Sequence, residues 1–370
     1  MQKSIEDYNS VLPMITEPEL SIDRLTMLIY SPGFSCYEAD ENYRDSLGMR
    51  TRDKITAFHK AIEKIFKGSK IESEKIQYSV QTKLYLYHYR ICDVDIQFCT
   101  KMPRTMRIDD EGYIEVWGDD DNKDKGYMYE YYCNDYNIRI EYNPNKADIS
   151  KIKAVLSWIG THFYAHFKCS KFIKISRIDF AFDYPEPINP CLFNFKLSRK
   201  WNSTGSSKNG VETVYFGAQK SKFHLVIYNK KEEYDKKQNI YYSGAYLWRV
   251  ELRCHHCWFI HELPEIGLRV LPRIEIFNTG LMDSDWQYNL ILENATQWGI
   301  KTVLSKLPDR TRDRYLKKYR EYAACPIVHP GDLYLQNFRG LWDIERDKIL
   351  DTFGFEPSAF CSRAVSDSKL

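Results

Sequence analysis

The chain has 370 residues, 43% of them hydrophobic and 28% charged, at a formal net charge of +2. That is ample apolar material for two or three cored domains, and too even a charge for a polyanion-binding protein to be read from global electrostatics. A mean hydropathy of −0.53, with no apolar run near the ~18 residues that a membrane helix requires, excludes a transmembrane protein. The start MQKSIEDYNS carries acids and no apolar stretch of a secretory signal, so a cytoplasmic protein with no membrane partner and with its ten cysteines reduced is expected.

Residues 1–24 are polar and acidic and read as an N-terminal arm outside the core. Residues 25–262 read as an α+β region built on antiparallel strands. It starts with RLTMLIYS, IQYSVQTKLYLYHYRI, YMYEYYC and IRIEYN around a helix near residues 53–67. The loop GDDDNKDKG at 118–126 has no register that places calcium ligands, and reads as a hairpin tip. Asp148 caps an amphipathic helix whose stripe is Ile149, Ile152, Val155, Leu156, Ile159, Phe163 and Phe167. Then come ISRIDFAFDYP, a turn-rich stretch, VETVYFG, KFHLVIYNK and LWRVELRC as a second run of strands. The pattern turns helical from about 263 to 345, and 346–370 form a tail that is acidic and apolar. No short-period repeat is present.

Several of these strands share one oddity. Ile178, Phe180 and Phe182 alternate with Arg177, Asp179, Ala181 and Asp183; Ile138, Ile140 and Tyr142 with Arg139, Glu141 and Asn143; Trp248, Val250 and Leu252 with Arg249, Glu251 and Arg253. In KFHLVIYNKK, Tyr228 and Lys230 likewise stand opposite Phe223, Leu225 and Ile227. If the strands are neighbours, Glu141, Asp179, Asp183 and Glu251 converge on one face. Close carboxylates repel, and all-oxygen ligation of Mg²⁺ or Mn²⁺ is a common remedy; a salt-bridge network with the interleaved arginines is the plainer one. Lys230, Arg177 and Arg249 supply cations beside Tyr228 that would favour its phenolate, the better nucleophile. Tyrosine, acids and a metal together point to transesterification of a DNA strand, leaving a 5′-phosphotyrosine and a free 3′-hydroxyl. Further on, residues 301–320 carry eight Lys/Arg against two Asp, interleaved with Tyr315 and Tyr319. Lys301, Lys306, Arg310, Arg312, Arg314, Lys317 and Lys318 are the candidate DNA contacts, with a solvated helix face as the plainer alternative.

In order along the chain, PELSIDRLTM, IRIEYNPNK, RIDFAFD, ETVYFGAQKSKFHLVIYNKKEE and LWRVELR resemble the Rep_trans family of rolling-circle plasmid replication initiators of Gram-positive bacteria, over about residues 18–320. The resemblance implies a relaxase-like catalytic region with Tyr228 as the nicking nucleophile. It further implies a metal site on Asp179, Asp183 and Glu251 with Glu141 in the matching strand, and Tyr215 as structural. It implies a homodimer, a plasmid double-strand origin as substrate, a host replicative helicase as partner, and origin recognition by residues 263–345. A related conjugative relaxase, a water-using nuclease and a DNA-binding repressor without chemistry are the alternatives. The CHHC run at 254–257 lacks a second Cys/His pair at zinc-finger spacing, and His162 and His166 lack the glutamate of a helical zinc motif.

Overall fold

The computed structural model describes residues 8–29, 51–75, 87–98, 106–108, 114–116, 138–162, 173–206, 210–258, 262–277, 286–322, 327–337 and 340. The chain forms two compact units, one within residues 1–23, 178–256 and 262–342, the other chiefly within 24–177. Both are mixed α+β with antiparallel sheet.

In the second unit the strands run β2 (Glu19–Ile29, from Arg24 onward), β8 (Ile138–Tyr142), β5 (Val94–Phe98), β4 (Tyr87–Ile91) and β3 (Ile71–Lys75) in hydrogen-bonded order. Strands β5 and β8 alternate buried with half-buried residues, the period-2 pattern of a sheet with one apolar face. Helices α1 (Thr51–Ile65) and α2 (Ile149–His162) belong to the same unit. Phe58 of α1 places its ring 4.7 Å from that of Phe98 and 5.3 Å from those of Tyr89 and Trp158. Helix α2 buries Ile152, Val155, Leu156 and Ile159 of the expected stripe, and the Asp148 carboxylate accepts the Ser150 N–H at its start, 3.0 Å. Strands β6 (Met106–Ile108) and β7 (Ile114–Val116) make a small hairpin. YMYEYYC, the 118–126 loop, Phe163, His166 and Phe167 lie outside the described residues.

The first unit is built on the order β11 (Trp201–Ser206), β12 (Gly210–Phe216), β13 (Phe223–Asn229), β15 (Trp248–Trp258) and β9 (Ile173–Tyr184, from Ile178 onward). A short helix α3 (Lys230–Glu233), a π turn at Tyr234–Gln238 and β14 (Ile240–Tyr242) connect β13 to β15. β1 (Ser10–Leu12) pairs in parallel with β14, so the arm is in part a strand of this unit. Its polar sequence hid that role because only three residues pair, held by backbone bonds that need no apolar side chain.

The boundary expected at 262 does not separate compact units. β10 (Phe193–Phe195) pairs with β16 (Ile274–Ile276), and Phe277 donates its N–H to the Leu192 carbonyl, 2.9 Å. Leu192 and Phe277 join Tyr288, Ile291, Leu292 and Ala295 of α5 (Trp286–Trp298), Ile300 and Leu304 of α6 (Ile300–Ser305), and Tyr315 of α7 (Asp309–Tyr322) in one core. α4 (Leu263–Val270) approaches the helix at 330–337 so closely that a Cβ on Gly267 would lie 2.3 Å from the Tyr334 ring. The change from strand to helix along the chain is a change of secondary structure inside one core, not a domain linker.

Candidate active site around Tyr228

Strand β13 delivers its tyrosine and ends at once. Tyr228 pairs with Arg249 of β15, and the next residue, Asn229, turns the chain by accepting the Glu232 N–H in its side chain, 3.2 Å. Lys230 is therefore the first residue of α3, and its ammonium lies 3.5 Å from the Tyr228 hydroxyl and 2.7 Å from Glu233 Oε2. Lys231 secures the turn from outside, donating to the Gly244 and Ala245 carbonyls at 2.6 and 3.1 Å.

Cross-strand partners point to one face, so Tyr228, Val226 and His224 share a face with Arg249, Glu251 and Arg253. The Tyr228 hydroxyl donates to Glu251 Oε2, 3.1 Å, while Arg253 Nε donates to Glu251 Oε1, 2.6 Å. Arg249 grips Asp183 of β9 with Nε and Nη2, both at 2.6 Å, and its Nη1 lies 3.1 Å from Asp23. Asp179, on β9, acts electrostatically on Arg253.

This face is not a solvated side of the sheet. Asp179, Arg249, Glu251 and Lys230 are only 1%, 4%, 3% and 6% exposed, and His224 and Val226 are buried as well. Buried charges persist only when paired, and here each basic group has its acid: Arg249 with Asp183 and Asp23, Arg253 with Glu251, Lys230 with Glu233. Asp183→Asn is accordingly expected to destabilise the fold by about 3–5 kcal/mol, the cost of breaking one partner out of a buried pair. A urea titration measures it, and a change below about 1 kcal/mol would mean that water already screens the clamp.

The cations beside Tyr228 do not make it a phenolate. Burial raises its pKa first, and the Glu251 carboxylate raises it further, against the opposing pull of Arg249. Dehydration and a carboxylate at hydrogen-bonding distance outweigh an arginine whose own charge is spent on two aspartates. The folded protein holds a neutral phenol with a proton acceptor already on it.

Among the described residues, no group of three or more His, Cys, Asp or Glu could hold a metal ion. As arranged, the acids do not fit a carboxylate-bound cation, because Arg249 takes both oxygens of Asp183 and Arg253 takes the Glu251 oxygen that Tyr228 leaves. In the CHHC run burial pushes the Cys254 thiol up, away from the thiolate that zinc requires. His162 stacks on Trp158 with ring centroids 4.2 Å apart.

The chain is similar to replication initiation proteins. One from Staphylococcus aureus is 29% identical over 200 residues, which cover 52% of this chain and 57% of the relative. A second from the same organism is 32% identical over 118 residues, 31% of this chain and 35% of the relative. The chain thus aligns with little more than half the length of the first of these relatives and about a third of the second. It matches no protein-family model. The solved structure of a rolling circle replication initiator protein from Geobacillus stearothermophilus superposes with a TM-score of 0.37 at 11% identity, over 76% of this chain and 98% of that one.

Of the residues singled out in the sequence, Tyr228, Lys230, Arg249, Asp179, Asp183 and Glu251 lie together in the first unit. Glu141 and Arg177 fall in the second unit, where Glu141 is bonded by Arg139 and Thr26 and ion-paired with Arg24 at 3.3 Å. Tyr215 stacks on His224, centroids 5.9 Å apart. Three further members carried weaker signals: Arg253, on the right face with its charge read only as part of a salt-bridge mixture; Glu233, three residues after Lys230; and Asp23, whose polar context gave no sign.

The basic segment is more committed than its composition implied. Lys301 donates to the Ser198 carbonyl, Arg312 pairs with Asp309 at 2.8 Å, and Arg314 donates to the Tyr315 hydroxyl at 3.0 Å. Tyr315 is a core residue, 2% exposed, with its hydroxyl on Gln287, so it offers no stacking platform; the apolar spacing of α7 needed an aromatic inward. Lys306, Arg310 and Lys317 are exposed. The side chains of Lys318 and Tyr319 are outside the described set.

Proposed function

We propose that this chain initiates rolling-circle replication of a plasmid by nicking one origin strand through Tyr228, as a member of the Rep_trans family. The observation that carries the proposal is the Tyr228 hydroxyl donating to a buried carboxylate, Glu251, with the Lys230 ammonium 3.5 Å from the same oxygen. A tyrosine that served only to pack needs neither. The similarity to replication initiation proteins favours replication over mobilisation of a plasmid.

In the reaction the Tyr228 oxygen attacks the scissile phosphorus as its proton passes to Glu251, the bond from phosphorus to the 3′ oxygen breaks, and that oxygen takes up a proton from solvent as it leaves. Lys230 faces the oxygen that loses its proton, and Arg253 holds Glu251 in place to receive it. The products are a 5′-phosphotyrosine and a 3′-hydroxyl able to prime synthesis. A Mg²⁺ or Mn²⁺ requirement belongs to the proposal as a quantity to be measured, because Glu251 would first have to release Arg253. The homodimer, the double-strand origin and the host helicase are likewise proposed partners.

Full-length protein and a 5′-unlabelled, 3′-labelled single strand carrying the nick site should yield an SDS-stable adduct whose label maps to Tyr228. Cleavage without any adduct would favour a nuclease that uses water, and origin binding with neither product a repressor. In the same assay EDTA tests the cation: loss of the adduct would show that a metal has to displace Arg253 from Glu251, and full activity in EDTA would remove the cation from the proposal.

Origin DNA is proposed to lie along α7 and the turn before it. Lys306→Ala with Arg310→Ala should lower the slope of log affinity against log salt by roughly two, one counterion-releasing contact for each. An unchanged slope would leave these residues as a solvated face.

A further inference from the structure

The two units repeat one chain trace. Each opens with a strand, β2 or β9, continues through an antiparallel meander of three strands, β3 to β5 or β11 to β13, and returns with a last strand, β8 or β15. In both, that last strand lies between the opening strand and the end of the meander, and a helix, α2 or α4, follows it. Strands consecutive in the chain are usually neighbours in the sheet, so the same departure made twice marks a duplication.

Register brings individual residues into correspondence. Arg249 and Glu251 of β15 pair with Tyr228 and Val226 of β13, and Arg139 and Glu141 of β8, at the same Arg-x-Glu spacing, pair with Gln97 and Asp95 of β5. Each glutamate accepts from a hydroxyl and from an arginine two residues away: Glu251 from Tyr228 and Arg253, Glu141 from Thr26 and Arg139. Gln97 thus holds the place of Tyr228. Its amide donates and accepts hydrogen bonds but is no nucleophile.

The face around Gln97 is open where that around Tyr228 is buried, with the side chains of Arg24 and Arg90 45% and 58% exposed. Its acids are occupied: Glu141 by Arg139 and Arg24, Asp95 by His88 at 2.7 Å and Arg90 at 3.2 Å, and Glu72 by Lys70 at 2.9 Å. A guanidinium carries five N–H donors, so Arg24 and Arg90 retain donors for phosphate oxygens beyond those spent on carboxylates.

We infer that the second unit is a duplicate of the first that has kept a strand-holding face and lost its nucleophile, and that this face grips single-stranded DNA outside the nick site. The ligand, though not the duplication, rests on the nicking reading above. Arginines on such a face hold phosphates without reading bases.

The test titrates full-length wild type and the double variant Arg24→Ala, Arg90→Ala with two single strands. One spans only the nick site, and the other extends it by about 16 nucleotides on each side, the upper site size of single-strand-binding folds. Both substitutions remove exposed ion pairs, and thermal unfolding verifies that the fold is kept. The affinity advantage of the extended strand over the short one should fall roughly tenfold in the variant, and its slope of log affinity against log salt by about 1.4, two contacts at about 0.7 each. An unchanged advantage and slope would overturn the inference. An equal loss on the short strand would overturn it as well, placing the two arginines at the nick site, and a loss confined to duplex DNA would remove single strands as the ligand. Absence of a Tyr228 adduct with wild type on the short strand overturns the nicking reading and the assigned ligand with it, and is seen before the variant is compared.

Discussion

Tyr228→Phe is expected to lower strand cleavage by roughly 10⁴-fold or more, the scale on which removal of a nucleophile acts, and to eliminate the covalent adduct altogether. The phenyl ring keeps its place between Thr213 and Arg249, and the lost hydroxyl donates one hydrogen bond to Glu251 and accepts a long one from Lys230, so stability should fall by only about 1–2 kcal/mol. The separation of the two effects is what makes the variant informative. Unfolding in urea and cleavage of a labelled nick-site strand are measured on the same preparation. Wild-type cleavage by the variant would remove Tyr228 from the chemistry, and a collapsed fold would show that the hydroxyl is part of the buried polar network before it is a nucleophile.

Glu251→Gln should be nearly as damaging to the reaction. It keeps the size of the side chain and a group able to accept from Tyr228, but cannot take the proton, and loss of a general base costs roughly 10²–10⁴-fold. Because burial and the Glu251 carboxylate both raise the Tyr228 pKa, the unfolded chain ionises this phenol first, near its ordinary value of about 10. The stability contributed by the buried phenol is therefore fully present below pH ~10 and is lost as the pH rises above it. By the same sign, the wild-type cleavage rate should gain nothing from pre-formed phenolate as the pH approaches 10. A rate rising tenfold per pH unit up to that point in Glu251→Gln and wild type alike would show direct ionisation of Tyr228 and no role for Glu251 as base.

Much of the site could be read from strand parity. Ile178, Phe180 and Phe182 against Asp179 and Asp183, and Val250 and Leu252 against Arg249, Glu251 and Arg253, alternate with a period that fixes which side chains share a face whatever the neighbouring strands are. Parity does not say what the second face meets. Asp179 and Glu251 suggested a surface that needed a cation, whereas both are buried and the charge of the set is balanced by arginines. Nor does parity give strand order, so the alternation around Glu141, the same as that of its counterparts, does not reveal that this residue belongs to the second unit. The charge state of Tyr228 depends on the dehydration of the whole cluster, a three-dimensional quantity that no local count of Lys and Arg contains. In α7 the basic composition was plain, but the inward turn of Tyr315 and the pairing of Arg312 with Asp309 follow from helix phase and the core beneath it.

The parallel pairing of β1 with β14 has a further consequence during synthesis. Asn9 and Asn239, which bond beside that pair, are 230 residues apart in the chain. At ribosomal rates of about 5–20 residues per second, some 10–50 s pass between the appearance of one strand and that of the other. The Arg249 clamp closes over a similar span, since Asp23 must wait for Arg249 itself. Long-range closures of this kind slow folding, and here the waiting segment is three residues long and set in polar sequence, which gives a nascent neighbour little edge to adhere to. Tyr228, whose strand face carries Arg249, is thus enclosed by its final partners only late in translation, after most of the chain has left the ribosome.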